Sequence, residues 1–192
     1  MPKKKILTAE QVIDSAYLLV KREGVERLNS RSLARETHTS TQPLFSLFPG
    51  MAVILKEVKD KAFSLYDSTI TDAIQSESKP FKAVGIAYIR FAENEANLFK
   101  LLFMTENDQT YAHFNIDHHA ASIIEDVEKE YGLTEEYARR LYFESWIATH
   151  GLASLLATKT LLLKDSEIST ILDDVVRGTY EKLKREMENK YE

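Results

Sequence analysis

The chain has 192 residues, a length that allows one large domain or two smaller ones with a buried core. It contains no cysteine, which excludes disulfides, thiolate metal sites and cysteine nucleophiles. Its net charge is −5. No apolar run reaches the roughly 18 residues that a membrane span needs, so we expect a soluble, cytoplasmic protein without a membrane partner.

Charge is unevenly distributed along the chain. Residues 1–50 carry eight basic and five acidic residues, a net charge of +3. The remaining residues carry 17 basic and 25 acidic residues, a net charge of −8. A basic N-terminal part on an acidic body indicates an anionic partner for the N-terminal part alone. Ordinary scatter in surface charge is the alternative interpretation.

Apolar residues recur every three or four positions, which predicts helices and makes strands improbable. The first helix is predicted to end at Gly24, and two short helices follow at about 30–37 and 41–47. The expected caps of these three helices are Thr8, Asn29 and Ser40. The apolar residues expected to form their small common core are Val12, Ala16, Leu19, Leu33, Ala34, Leu44 and Phe48.

A long fourth helix is predicted over about residues 51–75, followed by a break that ends at Pro80. Its predicted buried face comprises Leu55, Val58, Ala62, Leu65, Thr69 and Ala73. Five further helices are predicted at about 81–95, 97–105, 110–131, 134–158 and 166–189. The fold class is therefore all-α, with about nine helices.

The two short helices and the polar turn between them have the spacing of a helix-turn-helix, which places its second helix in the major groove of DNA. Side chains expected to face outward are Arg31, Thr39, Ser40, Thr41, Gln42 and Ser46. Their hydroxyl and amide groups can donate to phosphates or read base edges, and glutamine pairs bidentately with adenine. A small three-helix bundle with a polar face is the alternative.

The region from Ile13 to Leu55 resembles the N-terminal domain of the tetracycline-repressor (TetR) family. The resemblance rests on Gly24, the segment Asn29-Ser30-Arg31-Ser32-Leu33-Ala34, the turn Thr39-Ser40-Thr41 and the pattern Leu44-Phe45 with Phe48. It implies an N-terminal helix-turn-helix domain at 1–50 and a ligand-binding and dimerisation domain at 51–192. It also implies a double-stranded DNA operator as the partner.

Four positions depart from the family pattern. His38 occupies the usual glycine position of the turn, and Phe45 replaces a tyrosine whose hydroxyl touches phosphate. Pro43 lies in the first turn of the recognition helix, and Met51 occupies the position of a usual lysine. These changes remove hydrogen-bond donors or charges. We therefore expect DNA binding that is weaker, that depends more on salt through a basic arm, or that has a different sequence specificity.

Looser resemblances to the family's body occur at Ala87–Ala92, Leu98–Phe103 and Trp146–Leu152. They imply a pocket for a small apolar ligand among helices five to eight, although plain core packing explains the same aromatic residues. The candidate lining residues are Tyr88, Phe91, Phe103, Tyr111, Phe114, Tyr142, Trp146 and His150.

The last two helices are predicted to form a homodimer interface, because a helix-turn-helix reader normally binds two half-sites. Core packing within one subunit is the alternative. Helix eight carries small residues at Thr149, Ala153 and Ala157. The apolar face expected on helix nine comprises Ile168, Ile171, Leu172, Val175, Val176, Thr179, Leu183 and Met187.

The sequence thus predicts a ligand-responsive transcription regulator, a repressor on a palindromic operator, with activation left open. Contacts with DNA are expected from Lys3, Lys4, Lys5, Arg31, Thr39, Ser40, Thr41, Gln42, Phe45 and Ser46. We find no nucleophile elbow or phosphate-binding glycine loop, and the histidines lack metal-site spacing, so we expect no enzyme activity, cofactor or metal. A helical protein-interaction adaptor, or a family member that has lost DNA binding, is the alternative.

Overall fold

The structure is a computed structural model, which describes residues 7–76, 79–105 and 119–190. These residues form nine helices and no strand, which confirms the predicted all-α fold. A short 3-10 turn at Val25–Arg27 follows the first helix. The helices are α1 (Ala9–Glu23), α2 (Ser30–Glu36), α3 (Thr41–Leu47), α4 (Met51–Ser76), α5 (Pro80–Asn94), α6 (Ala96–Phe103), α7 (Ala120–Tyr131), α8 (Glu135–Ala157) and α9 (Asp165–Lys190).

The described residues group into two compact units. The first contains the residues through Asp67 together with Glu95–Thr105, and therefore α1 to α3, most of α4, and α6. The second contains Ser68–Asn94 and the described residues after 118, and therefore the end of α4, α5, and α7 to α9. The predicted boundary at residue 50 stays a prediction, since compact packing does not by itself define a functional domain.

Local hydrogen bonds explain where α1 and α2 begin. The Thr8 hydroxyl accepts from the backbone N–H of Gln11 at 3.2 Å, and the Gln11 side chain accepts from the Thr8 N–H at 3.1 Å. Asn29 and Ser32 make the same reciprocal pair at the start of α2. Both predicted caps are confirmed, and each satisfies backbone donors that a helix start leaves unpaired. Gly24 ends α1 with φ of 90°, in the region that favours glycine.

The turn between α2 and α3 depends on His38, whose φ is 53°. This left-handed conformation is one that glycine adopts without strain and that histidine tolerates better than branched residues do. It accounts for the glycine that the family pattern has at this position. Ser40 lies at the predicted cap position of α3, but its side chain makes no capping hydrogen bond.

The core of the first three helices is confirmed. All seven predicted core residues are buried, and Leu33 and Leu44 are fully inaccessible. Burying a leucine side chain contributes roughly 1.5–3 kcal/mol. These two leucines therefore hold α2 and α3 in one rotation about their axes and determine which side chains of α3 face outward.

The predicted face of α4 was wrong by a small rotation. The fully or almost fully buried residues are Ile54, Val58, Ala62, Tyr66 and Ile70, each four positions after the last. The predicted members other than Val58 and Ala62 are only partly buried. The large side chains of Ile54, Tyr66 and Ile70 bury more apolar area than Thr69 or Ala73 would, which turns the helix toward them.

In the second unit, α8 packs against α5, α7 and α9. Gly132 ends α7 in the left-handed conformation, with φ of 64°. One core cluster joins α7, α8 and α9 through residues that are less than 9% exposed. Its members are Ala120, Ile123, Ile124, Val127, Leu133, Tyr137, Ala138, Leu141, Tyr142 and Leu183.

Much of the predicted interface face of α9 is internal to the subunit, whereas Ile171 of this face is exposed, and a dimer contact through α9 stays a prediction. Ile168, Leu172 and Leu183 are buried within this single chain. Val176 and Met187 pack against the core cluster of α7 and α8. Because α9 covers this cluster, most of its apolar side chains pack inside the subunit.

The small residues of α8 are internal as well. Thr149, Ala153 and Ala157 are each less than 8% exposed in the single chain. The Thr149 hydroxyl donates to the Ser145 carbonyl oxygen at 2.8 Å, which satisfies it inside the core. These positions therefore allow close packing within the subunit and are not available to a second copy.

Candidate functional site

The outward face of α3 consists of Gln42, Phe45 and Ser46, which share one side of the helix because they are three and four positions apart. All three are exposed, and the Phe45 ring retains 49% of its accessible surface. Leu44 and Phe48 occupy the opposite side and are buried. We call Gln42, Phe45 and Ser46 the α3 face.

The hydroxyl groups around α3 are partly used within the chain. The Thr39 hydroxyl donates to the Ser40 carbonyl oxygen at 3.1 Å and lies 3.0 Å from the Thr37 hydroxyl. The Ser46 hydroxyl donates to the Gln42 carbonyl oxygen at 3.0 Å. Among the described residues, the Gln42 side-chain amide has no hydrogen-bond partner. It is therefore the group of the α3 face that is ready to donate and accept.

Basic residues of α2 flank this region. Arg31 and Arg35 are exposed, whereas Arg22 of α1 binds the Glu36 carboxylate through two nitrogens, each at 3.1 Å. These hydrogen bonds hold the pKa of Glu36 below its usual range, which keeps the carboxylate ionised and paired. The predicted arm Lys3 to Lys5 lies outside the described residues.

The candidate ligand residues of the second unit include a stack of rings on α8. The His150 ring lies 5.4 Å from the Trp146 ring with an interplanar angle of 22°, and Trp146 lies 6.1 Å from Phe143 at 18°. His150 Nδ1 is 2.8 Å from the Tyr88 hydroxyl of α5. Two polar groups thus meet beside an aromatic wall, which is an arrangement that suits a mostly apolar ligand with one polar group.

The remaining ligand candidates lie in different places. Phe91 and Tyr142 are buried in the second unit, and burial raises the pKa of the Tyr142 hydroxyl to about 12. Phe103 belongs to the first unit, where its ring packs edge-on against Tyr66 at 5.0 Å. Tyr111 and Phe114 lie outside the described residues, as do His113 and His118.

Protonation of His150 is expected to destabilise the fold. Burial lowers the pKa of His150 below its usual value near 6.5, and the Tyr88 hydroxyl lies 2.8 Å from its Nδ1 atom. The unfolded chain then binds this proton at a higher pH than the folded chain, so stability falls as pH drops from about 6.5 toward the folded-state pKa. His150→Gln removes this contribution, and its melting temperature should fall less between pH 7 and pH 5. Parallel melting curves for the two proteins would contradict this role.

The sequence did not lead us to an exposed apolar stripe on α8, formed by Phe143, Ile147 and Leu155 and interrupted by Gly151. The three side chains are 49%, 51% and 43% exposed. A Cβ atom at Gly151 would meet no described atom within 4 Å. The four-residue spacing was a visible signal, but α8 is apolar on several sides. We call Phe143, Ile147, Gly151 and Leu155 the α8 stripe.

Comparison with known families gives the identity of this architecture. Residues 81–178 match the family described as tetracyclin repressor-like, C-terminal domain, which is slightly more than half of the chain. The chain therefore belongs to the tetracycline-repressor family. The match covers α5 to α8 and reaches into α9, whereas the helix-turn-helix resemblance comes from the other end of the sequence. No curated protein matches the chain.

Among residues 7–76, 79–105 and 119–190, no helix combines the length and apolar character needed to cross a bilayer.

Proposed function

We propose that the protein is a homodimeric DNA-binding transcription regulator of the cytoplasm, and specifically a repressor that binds a palindromic operator. The observation that carries this proposal is the α3 face. It places an amide that has no hydrogen-bond partner among the described residues, together with an exposed ring, on a short helix held by buried Leu33 and Leu44. Family membership supports the regulatory role, and a regulator of this kind needs no catalytic residues.

The dimer is proposed to form through the α8 stripe together with the exposed part of α9. Contiguous exposed apolar residues on one helix are unfavourable in water and are typical of an interface. Ile171 of α9 is 39% exposed and is a further apolar side chain available to a partner. A dimer with a two-fold axis through these helices would carry two helix-turn-helix domains, one for each half-site of a palindromic operator.

The regulator is proposed to respond to a small, largely apolar ligand in the second unit. Tyr88 and His150 would supply the polar contacts, and Trp146 would supply an aromatic wall. Ligand binding would act on DNA affinity through α4, which contributes residues to both units. Linkage requires that DNA weaken the ligand by the same factor by which the ligand weakens DNA. Trp146 is the only tryptophan, so its fluorescence reports on this region directly.

Replacing Lys3, Lys4 and Lys5 together with glutamine is the experiment that tests the DNA-binding role. We expect lower affinity for all DNA sequences alike, because lysine charges attract the phosphates that every DNA sequence carries. The slope of log K against log salt should become shallower by about 0.9 for each phosphate that the arm no longer neutralises. The measurement is a fluorescence anisotropy titration of labelled duplex at several salt concentrations.

Two comparisons make this experiment specific. Replacing the exposed Lys129, Lys164 and Lys184 of the second unit with glutamine changes the net charge equally and should leave the slope unchanged. Gln42→Ala should alter sequence preference with little effect on the salt slope. If the lysine-arm variant and Gln42→Ala both bind DNA like the unaltered protein, the helix-turn-helix assignment is incorrect.

A protein-interaction adaptor is the second candidate function. It is favoured by the apolar side chains on α3, since Phe45 is 49% and Leu47 is 40% exposed. Pro43 and Met51 add to it, because each replaces a group that would donate to or attract phosphate. An adaptor predicts no saturable DNA binding at low salt, so the same titrations separate the two functions.

A further inference from the structure

The outward face of the recognition helix α3 contains no lysine, arginine, aspartate or glutamate. Residues 37–55 contain no lysine, arginine, aspartate or glutamate, although Glu36 and Lys56 flank them directly. This stretch includes the turn, all of α3 and the start of α4. Any base-specific contact made by α3 must therefore come from neutral side chains.

The geometry narrows the choice further. Of the three members of the α3 face, Ser46 donates its hydroxyl proton to the Gln42 carbonyl oxygen at 3.0 Å. This leaves the Gln42 amide and the Phe45 ring as the groups that distinguish one base from another. Thr41 is the first residue of α3. Its hydroxyl can both donate and accept a hydrogen bond, so it distinguishes poorly between bases.

The chemistry of base recognition then favours A·T base pairs over G·C base pairs. Guanine is most commonly read by arginine or lysine, and the amino group of cytosine by aspartate or glutamate, none of which occurs in this stretch. Glutamine reads adenine through two hydrogen bonds, and an aromatic ring packs on the methyl group of thymine. The α3 face carries one group of each of these two kinds.

We infer that α3 recognises A·T base pairs, with Gln42 paired to adenine and Phe45 packed on a thymine methyl group. This inference rests on the proposed DNA-binding function and adds its sequence specificity. It also explains why a phenylalanine can stand at position 45, where the family pattern has a tyrosine. The Phe45 ring is 49% exposed, and without a hydroxyl it has no group to bind phosphate. This exposed apolar surface is available to pack on a thymine methyl group.

The test begins with selection of bound duplexes from a random library by the full-length protein at low salt. The best duplex is then prepared with deoxyuridine in place of thymidine within the half-sites, which removes only the methyl groups. A second duplex carries the same replacement outside the half-sites. Affinities are measured for the unaltered protein, Phe45→Ala and Leu47→Ala. Leu47 is the matched control, because it is exposed on α3 but two residues away on a different side.

We expect the selected half-sites to be rich in A·T pairs. Uracil within them should weaken binding of the unaltered protein by about fourfold for each contacted methyl group, whereas uracil outside them should have no effect. Phe45→Ala should bind the thymine and uracil duplexes equally, and Leu47→Ala should retain the full difference.

Half-sites rich in G·C, or equal binding of thymine and uracil duplexes by the unaltered protein, would overturn the inference while leaving DNA binding intact. Phe45→Ala that keeps the full difference would also overturn it. Failure to retain any duplex at low salt would instead refute the proposed function, and would point to a protein partner for the α3 face.

Discussion

Replacing Ile147 with glutamate is expected to convert the protein from a dimer into a monomer. Ile147 lies in the middle of the α8 stripe and is 51% exposed in the single chain, so the fold of the subunit tolerates a charge there. A dimer with a two-fold axis at the stripe would bury one such carboxylate from each chain, and neither would have a partner. A combined penalty of roughly 3 kcal/mol already raises the dissociation constant more than a hundredfold.

Sedimentation at micromolar concentration measures this directly, with about twice 22.0 kDa expected for the unaltered protein and 22.0 kDa for Ile147→Glu. Ala121→Glu on α7 is the matched control, because it adds the same charge at an exposed position away from the stripe. It should remain dimeric. A dimeric Ile147→Glu, or a monomeric unaltered protein, would show that the stripe is not the interface.

Leu183→Ala is expected to lower the free energy of unfolding by about 2–5 kcal/mol. Leu183 is fully buried, and it is the member that α9 contributes to the core cluster of α7 and α8. Truncation removes apolar contacts and leaves a cavity that a close-packed core fills only in part. This effect is intramolecular, because the side chain is covered within one chain.

Urea denaturation at a fixed protein concentration measures the change, since dimerisation makes apparent stability depend on concentration. The exposed neighbour Lys184→Ala is the control and should change the free energy by less than about 0.5 kcal/mol. A Leu183→Ala protein of unaltered stability would contradict the internal role of α9. If Leu183→Ala abolished dimerisation without lowering subunit stability, this face of α9 would instead belong to the dimer interface.

Features set by short-range interactions were predictable from the sequence. The cap at Thr8 and the glycine stops at Gly24 and Gly132 depend on atoms within a few residues of one another. The buried leucines of α2 and α3 followed from their spacing. Helix existence, helix order and the core of the first three helices therefore follow from local patterns of residues alone.

Features set by tertiary partners were harder to predict. Periodicity shows that one side of α9 is apolar, but it does not show whether that side meets its own subunit or another. On α8, buried Leu141 and Tyr142 directly precede exposed Phe143, so the stripe was hidden in a helix that is apolar on several sides. The contact between Tyr88 and His150 joins residues 62 positions apart, which no local pattern reports.

The departures from the family pattern have two different physical meanings. His38 keeps the left-handed turn that glycine usually provides, with φ of 53°, so the geometry of the helix-turn-helix is preserved. Phe45, by contrast, changes the chemistry of the outward face without changing the helix that presents it. Under the proposed function, we therefore expect α3 to determine sequence specificity and the flanking basic residues to attract phosphates without sequence preference.

Titration of the unaltered protein into duplex DNA from the region upstream of its own coding sequence tests the central claim most directly. We predict saturation at two chains per operator duplex, with an affinity that falls steeply and linearly in log salt. A chain that shows no saturable binding at about 50 mM salt, or that binds without salt dependence, would contradict a DNA-binding regulator.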